Sequence, residues 1–290
     1  MEKRLPVYDI HEFQHFNRQE DFYANHLKQH VADHHFTNLP HKHDFYLVIL
    51  FTKGRGSHEI DFETHTVEPG ALFIMKPGQM HFWKLSNDVE GYVFFHTKNF
   101  YDEGFASSSL QDFTFFSSFQ VSPITRLKSS LLQKFEGLMA EILEEYQSHK
   151  SMKLQKIHVL INLLYIELSR IYLPSETINH KTYILQLRKF EQIIEVNYKT
   201  LKSAGEYASI LNISEKHLNR ITKTCLNKTS TQLIAERVLL EAKRMLIHSS
   251  LNVTEVGEAL GYSDKSYFIR FFKKNIGETP LAFLNRYKSH

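Results

Sequence analysis

A pattern that occurs twice in the last 90 residues does most to limit what this chain can fold into. Ala208, Leu211, Ile213 and Ser214 correspond to Gly257, Leu260, Tyr262 and Ser263, 49 positions later. After one inserted residue, Leu218, Arg220, Lys223 and Thr229 correspond to Phe268, Arg270, Lys273 and Thr279 at a spacing of 50. Each copy reads as two short helices joined by a tight turn, with Ser203 and Ser214 as N-caps in the first copy. A small residue, Ala208 or Gly257, lets the first helix of a pair approach the second, and Leu211, Leu218, Leu260 and Phe268 supply the core between them. The stretch 231–248 separates the copies and reads as one helix with Leu233, Ile234, Val238, Leu239, Ala242, Met245 and Leu246 on its apolar side. At about 1.5 Å per residue it spans roughly 27 Å, enough to hold the two second helices near the one-turn spacing of about 34 Å along a duplex.

Charge supports a polyanionic partner. The net charge of +3 hides an asymmetry: residues 181–290 hold 18 Lys and Arg against 10 Asp and Glu, while residues 1–180 hold 17 against 22. A positive field confined to the repeated region suggests a nucleic-acid-binding domain joined to one with another task. The outward residues of the second helix in each pair are the expected base readers, because that helix presents its N-terminal half to the major groove. They are Glu215, Lys216, Asn219 and Arg220 in the first copy and Lys265, Ser266, Ile269 and Arg270 in the second. Arginine can donate two hydrogen bonds to guanine, and asparagine can pair with adenine. Lys223, Thr224, Lys228, Thr229, Lys273, Lys274 and Thr279 are expected at phosphates. A solvated helix face explains any one of these charges equally well, but explains the pair of units poorly.

The two units, the connecting helix and the tail Phe271, Phe272, Lys273, Lys274, Gly277, Thr279, Pro280 and Phe283 resemble the AraC/XylS family of bacterial transcription regulators across about residues 185–290. Ile221-Thr222 stands where the first unit of that family usually has an apolar residue and phenylalanine, and Leu284 where arginine often follows the aromatic. The resemblance implies double-stranded DNA as partner, RNA polymerase as a second partner, and activation as the commoner role.

The N-terminal half has a different texture. From about residue 38 to 97, short runs rich in aromatic and β-branched residues alternate with turn residues such as Gly54, Gly56, Pro77 and Gly78, which argues for an antiparallel sandwich or barrel. Beyond it, Leu131, Phe135, Leu138, Met139, Ile142 and Tyr146 fall on one helical stripe, and Leu154, Ile157, Leu160, Ile161, Leu164, Leu168 and Ile171 on another. These helices either cover the barrel or pair with a second subunit. Pro174 ends the second of them, so a linker is expected at 174–183. The expected fold is α+β: a cupin-like sensing barrel at 1–125, a helical dimerisation segment at 126–173, the linker, and an all-α double helix-turn-helix domain at 184–290.

The term cupin-like rests on Pro40, His41, Lys42, His43, Glu68, Pro69, Gly70, Pro77, Gly78, Gln79, Met80 and His81, which look like the two segments of a cupin barrel. In metal-binding cupins two histidines of the first segment, a glutamate shortly after, and the second-segment histidine hold an ion; here Leu47 and Val48 occupy the glutamate positions. Three imidazoles without a carboxylate attract a divalent cation more weakly. A three-histidine iron, nickel or zinc site at His41, His43 and His81 is therefore the least expected reading, and no cofactor or metal is assigned. Structural hydrogen bonding is the plain reading, while the favoured one makes His41, His43, Phe45, His81 and Trp83 the lining of an organic effector pocket, for a sugar or small metabolite.

Taken together, these features predict an effector-responsive, sequence-specific transcriptional regulator and homodimer, without catalysis. The rivals are a metal-dependent cupin enzyme with a DNA-binding appendage, which the missing glutamate counts against, and an effector-independent regulator. The N-terminus lacks a signal sequence, His158, Asn162, Glu167 and Arg170 interrupt the longest apolar stretch, and the lone Cys225 cannot form an internal disulfide, so a cytoplasmic protein with no membrane partner is expected.

Overall fold

The computed structural model describes residues 6–14, 21–34, 39–105, 110, 113–116, 122–172 and 181–288. The chain divides into two compact units, one of residues 6–174 and one that holds residues 175–290. Most of the expected linker, 174–180, lies outside the described residues.

In the first unit, strands β1 (Val7–Tyr8), β2 (Phe22–His26), β3 (Lys42–His43), β4 (Tyr46–Lys53), β5 (Gly56–Ile60), β6 (Glu63–Val67), β7 (Ala71–Met75), β8 (His81–Leu85), β9 (Glu90–His96) and β10 (Ile124–Arg126) form three sheets. The largest runs β10-β7-β4-β9-β2 and is antiparallel throughout. A second runs β6-β5-β8, also antiparallel, and β1 pairs in parallel with β3. The unbroken apolar run in β4 follows from burial on both faces, since successive side chains of a strand point to opposite sides. Leu47, Ile49 and Phe51 join Phe73, Trp83, Val93 and Phe95 in the core between the sheets. Val48 and Leu50 join Phe22, Leu72 and Phe94 on the other face, where helices close over them.

Those helices are α3 (Ser129–Gln147) and α4 (Lys153–Tyr172), which follow α1 (Leu27–Asp33) and α2 (Lys98–Gly104). Phe135, Met139, Ile142 and Tyr146 of α3 and Ile157, Leu160, Ile161, Leu164, Tyr165 and Leu168 of α4 share one buried cluster with the sheet. Of the two uses left open by periodicity, covering the barrel is the one the buried faces of α3 and α4 serve. Helices α3 and α4 thus form an outer layer of the first unit. Leu131, Leu154 and Ile171, assigned to the same stripes, are instead substantially exposed.

The polar residues that interrupt α4 act as pins. The His158 Nε2–H donates to the carbonyl of Phe100 at 2.7 Å, and Asn162 Oδ1 accepts from the Tyr101 hydroxyl at 3.0 Å. His96 Nδ1–H donates to the Thr97 carbonyl, so its Nε2 must accept from the Tyr165 hydroxyl at 2.7 Å.

The second unit consists, among the described residues, of α5 (Lys181–Asn197), α6 (Ala204–Ile210), α7 (Glu215–Leu226), α8 (Ser230–His248), α9 (Val253–Ala259), α10 (Lys265–Ile276) and α11 (Pro280–Lys288). At 19 residues, α8 is about 28 Å long. Arg237 on α8 donates to Glu195 of α5 at 2.8 Å and lies 3.9 Å from the centre of the Tyr198 ring. This contact is largely shielded from water and ties the connecting helix to the helix that precedes the first pair.

The two faces of α4 should respond differently to truncation. Leu164 is fully buried and Leu163 is 40% exposed. Leu164→Ala is expected to cost about 2–5 kcal/mol and Leu163→Ala about 0.5 kcal/mol, measured by urea unfolding. Equal losses at both positions would contradict the packing of α4 on the sheet.

Candidate functional site

Both helix pairs of the second unit use the same local devices. Ser203 caps α6 with a reciprocal bond to Glu206, and Asn252 caps α9 in the same way with Glu255. After each first helix one residue turns the chain through the left-handed region, Asn212 at φ 54° and Gly261 at φ 81°. Ile213 N–H then bonds back to the Ala208 carbonyl at 3.0 Å, and Tyr262 N–H to that of Gly257 at 2.9 Å. A Cβ on Gly257 would sit 3.1 Å from the Phe268 ring, so the second crossing is tight because the residue is glycine. Ser214 caps α7 and Asp264 caps α10. Left-handed Asn227 and Gly277 end these helices, 50 positions apart.

With Leu218, Ile221, Phe268 and Phe272 buried, the opposite faces of α7 and α10 meet solvent. Glu215, Lys216, Arg220, Lys223 and Thr224 are exposed on α7, and Lys265, Ser266, Arg270, Lys273 and Lys274 on α10, with Ile269 half-buried beside them. A surface groove of about 660 Å³ runs along α7, lined by Ser214, Lys216, His217, Asn219, Arg220, Lys223 and Thr224. Such a face offers a row of cationic donors flanked by few acids, suited to phosphates and base edges.

Four residues expected on this face have other duties. Asn219 Oδ1 accepts from the Ser230 backbone N–H at 3.1 Å, at the start of α8. Pairing with adenine needs both the oxygen and the nitrogen of the amide, so this bond argues against Asn219 as a bidentate reader. Thr229 Oγ1 accepts from Gln232 N–H and caps α8, and Thr279 Oγ1 accepts from Ala282 N–H at the start of α11. Lys228 Nζ lies 2.8 Å from the Glu236 carboxylate, which offsets its charge. The reason is common to all: residues at a helix junction are recruited by the free N–H groups and charges of the next helix. Sequence reasoning also missed His217 in the groove and Tyr267, 57% exposed on α10. The helical angle from the buried Phe268 and Phe272 could have revealed Tyr267.

In the barrel, His41, His43, Phe45, His81 and Trp83 come together, each no more than 2% exposed. His43 stacks on Phe45 with ring centres 4.4 Å apart, and Phe45 on Phe95 at 4.4 Å. His41 lies 4.2 Å and His43 5.1 Å from His81, centre to centre. Tyr8 covers His41 and Phe13 covers Phe45, at 5.3 and 5.6 Å between rings. A fourth imidazole, His58 of β5, was not foreseen; its Nε2 is 2.9 Å from His81 Nδ1. Cross-strand pairing of His58 with Trp83 and of Ile60 with His81 brings it there, a proximity invisible in linear spacing.

The hydrogen bonds assign tautomers. Nδ1–H of His41 donates to the Leu39 carbonyl and that of His43 to the Phe45 carbonyl, both at 2.8 Å, so each neutral ring keeps a lone pair at Nε2. Burial, followed by neighbouring imidazoles, pushes His43 and His58 down to about 3 and His81 well below the ordinary value. Burial also lowers His41, opposed by its bond to Leu39. Among the described residues nothing reaches His43 Nε2, His58 Nδ1 or His81 Nε2. The described residues include no group of three or more His, Cys, Asp or Glu arranged to hold a metal ion.

Comparison with known proteins agrees with this division. Residues 25–163 match the family described as AraC-like ligand binding domain, and residues 207–286 a helix-turn-helix domain family. An uncharacterised HTH-type transcriptional regulator, YfiF of Bacillus subtilis strain 168, is 23% identical over 267 residues, 88% of this chain and 81% of its own. The HTH-type transcriptional activator RhaR of Enterobacter sp. strain 638 is 21% identical over 274 residues, covering 93% and 96%. Among solved structures, ToxT of Vibrio cholerae aligns with 91% of this chain and 98% of its own at 9% identity and a TM-score of 0.45.

The buried imidazoles set a pH dependence. Unfolded, His43 and His58 take up a proton near the ordinary value of 6.5; folded, they do so only at about 3. Between these values the unfolded chain binds more protons, so stability is full above pH 6.5 and falls as pH falls, by up to ~1.4 kcal/mol per pH unit for each histidine. Urea midpoints measured from pH 7 to pH 4 should decline steadily. The decline should be shallower in a His58→Gln variant, which keeps a hydrogen-bonding amide toward His81 but cannot titrate. A flat profile in the wild type would contradict the burial of neutral imidazoles.

Proposed function

The chain belongs to the AraC family of transcriptional regulators, and from that premise we propose that it is an effector-responsive activator and a homodimer, each subunit of which reads two successive major grooves. The observation that carries this reading is the pair of equivalent, outward cationic faces on α7 and α10, joined by an α8 of about 28 Å. Glu215, Lys216, Arg220, Lys265, Ser266, Ile269 and Arg270 read bases, and Lys223, Thr224, Lys273 and Lys274 contact phosphates. RhaR is named a transcriptional activator; carried over to this chain, that role makes RNA polymerase a second partner. No catalytic step is part of the reading. A cytoplasmic location is consistent with it, and no described helix is long and apolar enough to cross a membrane.

The effector site is the barrel interior at His41, His43, Phe45, His81 and Trp83, with His58 added. Neutral imidazoles that offer a lone pair at His43 Nε2 and, at the outer ends of the His58–His81 bond, one lone pair and one N–H suit an uncharged ligand carrying hydroxyl or amide groups, such as a sugar or other small metabolite. An anionic ligand would require protonated imidazoles, which burial opposes. Effector binding changes the DNA-binding half through a two-state element coupled to both sites.

Selection of binding sites from fragmented genomic DNA at stated salt tests the reading. The expected product is a motif with half-contacts about one helical turn apart. Arg270→Ala should weaken binding by about 1–3 kcal/mol and relax preference at one base position, whereas Lys273→Ala should weaken binding to all sequences and flatten the salt dependence. An unchanged site profile in the first variant, or an unchanged salt slope in the second, would contradict the role given to that residue.

A further inference from the structure

The two recognition arginines are held differently. Arg220 Nη2 donates to His217 Nδ1 at 2.7 Å, and its guanidinium lies 5.9 Å from the centre of the Tyr183 ring. Tyr183 and His217 meet edge to face, 5.8 Å apart at 83°. Tyr183 belongs to α5, so one helix outside the first pair reaches the reading side chain of that pair. Because a guanidinium cannot accept, the bond makes His217 a neutral ring with its proton on Nε2. Among the described residues Arg270 has no such frame at the same place. Its ion pair is a 4.0 Å approach to Asp264 with both side chains largely in solvent, and the position matching His217 is Tyr267, whose ring approaches Tyr262 at 5.8 Å.

We propose that Tyr183 and His217 are positioning residues that hold Arg220 ready for base reading, so that the first unit discriminates its base through a preset side chain and the second through one that lies largely in solvent. A long side chain that docks from many rotamers loses conformational freedom on binding, and one held beforehand loses less. His217 takes one N–H of the guanidinium and Tyr183 takes its face, leaving other donors for the two acceptors of a guanine edge. Tyr183 itself does not touch DNA in this scheme. The proposal rests on the base-reading role of Arg220.

The test is site selection from a randomised duplex library with the full chain, followed by affinity measurements on the selected site and on its single-base variants. Arg220→Ala should flatten preference at one base position. Tyr183→Ala should reduce discrimination at that same position about two- to five-fold, the size expected of an exposed cation–aromatic contact. Tyr183→Phe should restore it, because the ring and not the hydroxyl acts. In an Arg220→Ala background, Tyr183→Ala should have no further effect at that position, an outcome that general damage to α5 would not produce. Circular dichroism and binding to unrelated DNA check that the variants fold.

Full discrimination retained by Tyr183→Ala, a uniform loss at every position, or an additive loss in the double variant overturns the positioning role. A wild-type chain that selects no motif, or an Arg220→Ala chain with the wild-type motif, overturns instead the base-reading role beneath it.

Discussion

Everything the DNA-binding half can do depends on one backbone interaction made twice. At the end of α6 and of α9 a left-handed residue lets the next N–H return to a carbonyl within the first helix, that of Ala208 or Gly257. These bonds set where the second helix of each pair begins and which of its faces meets the core. Asparagine suffices at 212, since its side chain tolerates the left-handed region better than most. At 261 glycine is required for a second reason, because a Cβ there would lie 1.9 Å from the carbonyl oxygen of Lys199. The second turn is thereby seated on the chain that follows α5, with Lys202 5.3 Å from the centre of the Tyr262 ring. The contact between Arg237 and Glu195 ties α8 to α5 as well, so both helix pairs share one support.

In the barrel the governing physics is desolvation. Four imidazoles packed among aromatic rings stay neutral because a buried charge without a counter-ion costs more than the proton gains. Neutrality then forces each ring to choose a tautomer, and nearby carbonyls choose it for His41 and His43. The same environment that keeps these rings uncharged also selects what they can bind. The outward faces of α7 and α10 follow the opposite rule: their cations remain in water, where they are cheap to hold and ready for phosphates.

Much of this was legible in the sequence because it rests on local rules. Helix caps at Ser203 and Ser214, the helical period of 231–248 and the strand-rich stretch from 38 to 97 depend on neighbours a few residues apart. The candidate sites were legible in part. The residues His41, His43, Phe45, His81 and Trp83 do converge, yet His58 was missed because only strand pairing brings it beside His81. Asn219, Lys228, Thr229 and Thr279 have the right chemistry and helical phase for DNA, and their other duties were not legible because the partners that engage them sit at helix junctions or on the following helix.

The stripes of α3 and α4 mark the boundary between the two kinds of knowledge. Their periodicity required that a long apolar face be buried, and so determined two helices and one hidden side for each. What lay across from that side was open until Val48, Leu50 and Phe94 of the sheet were found against it. By itself the sequence determined the two helix-turn-helix units, the basic character of one half and the strand-rich character of the other, since these follow from backbone preference and charge count. Only tertiary structure decided which imidazole nitrogens are left unpaired, which polar groups are already engaged and which arginine is held in place. Those outcomes turn on contacts between residues far apart in the chain, such as Tyr183 with Arg220 and His58 with His81, and no local pattern encodes them.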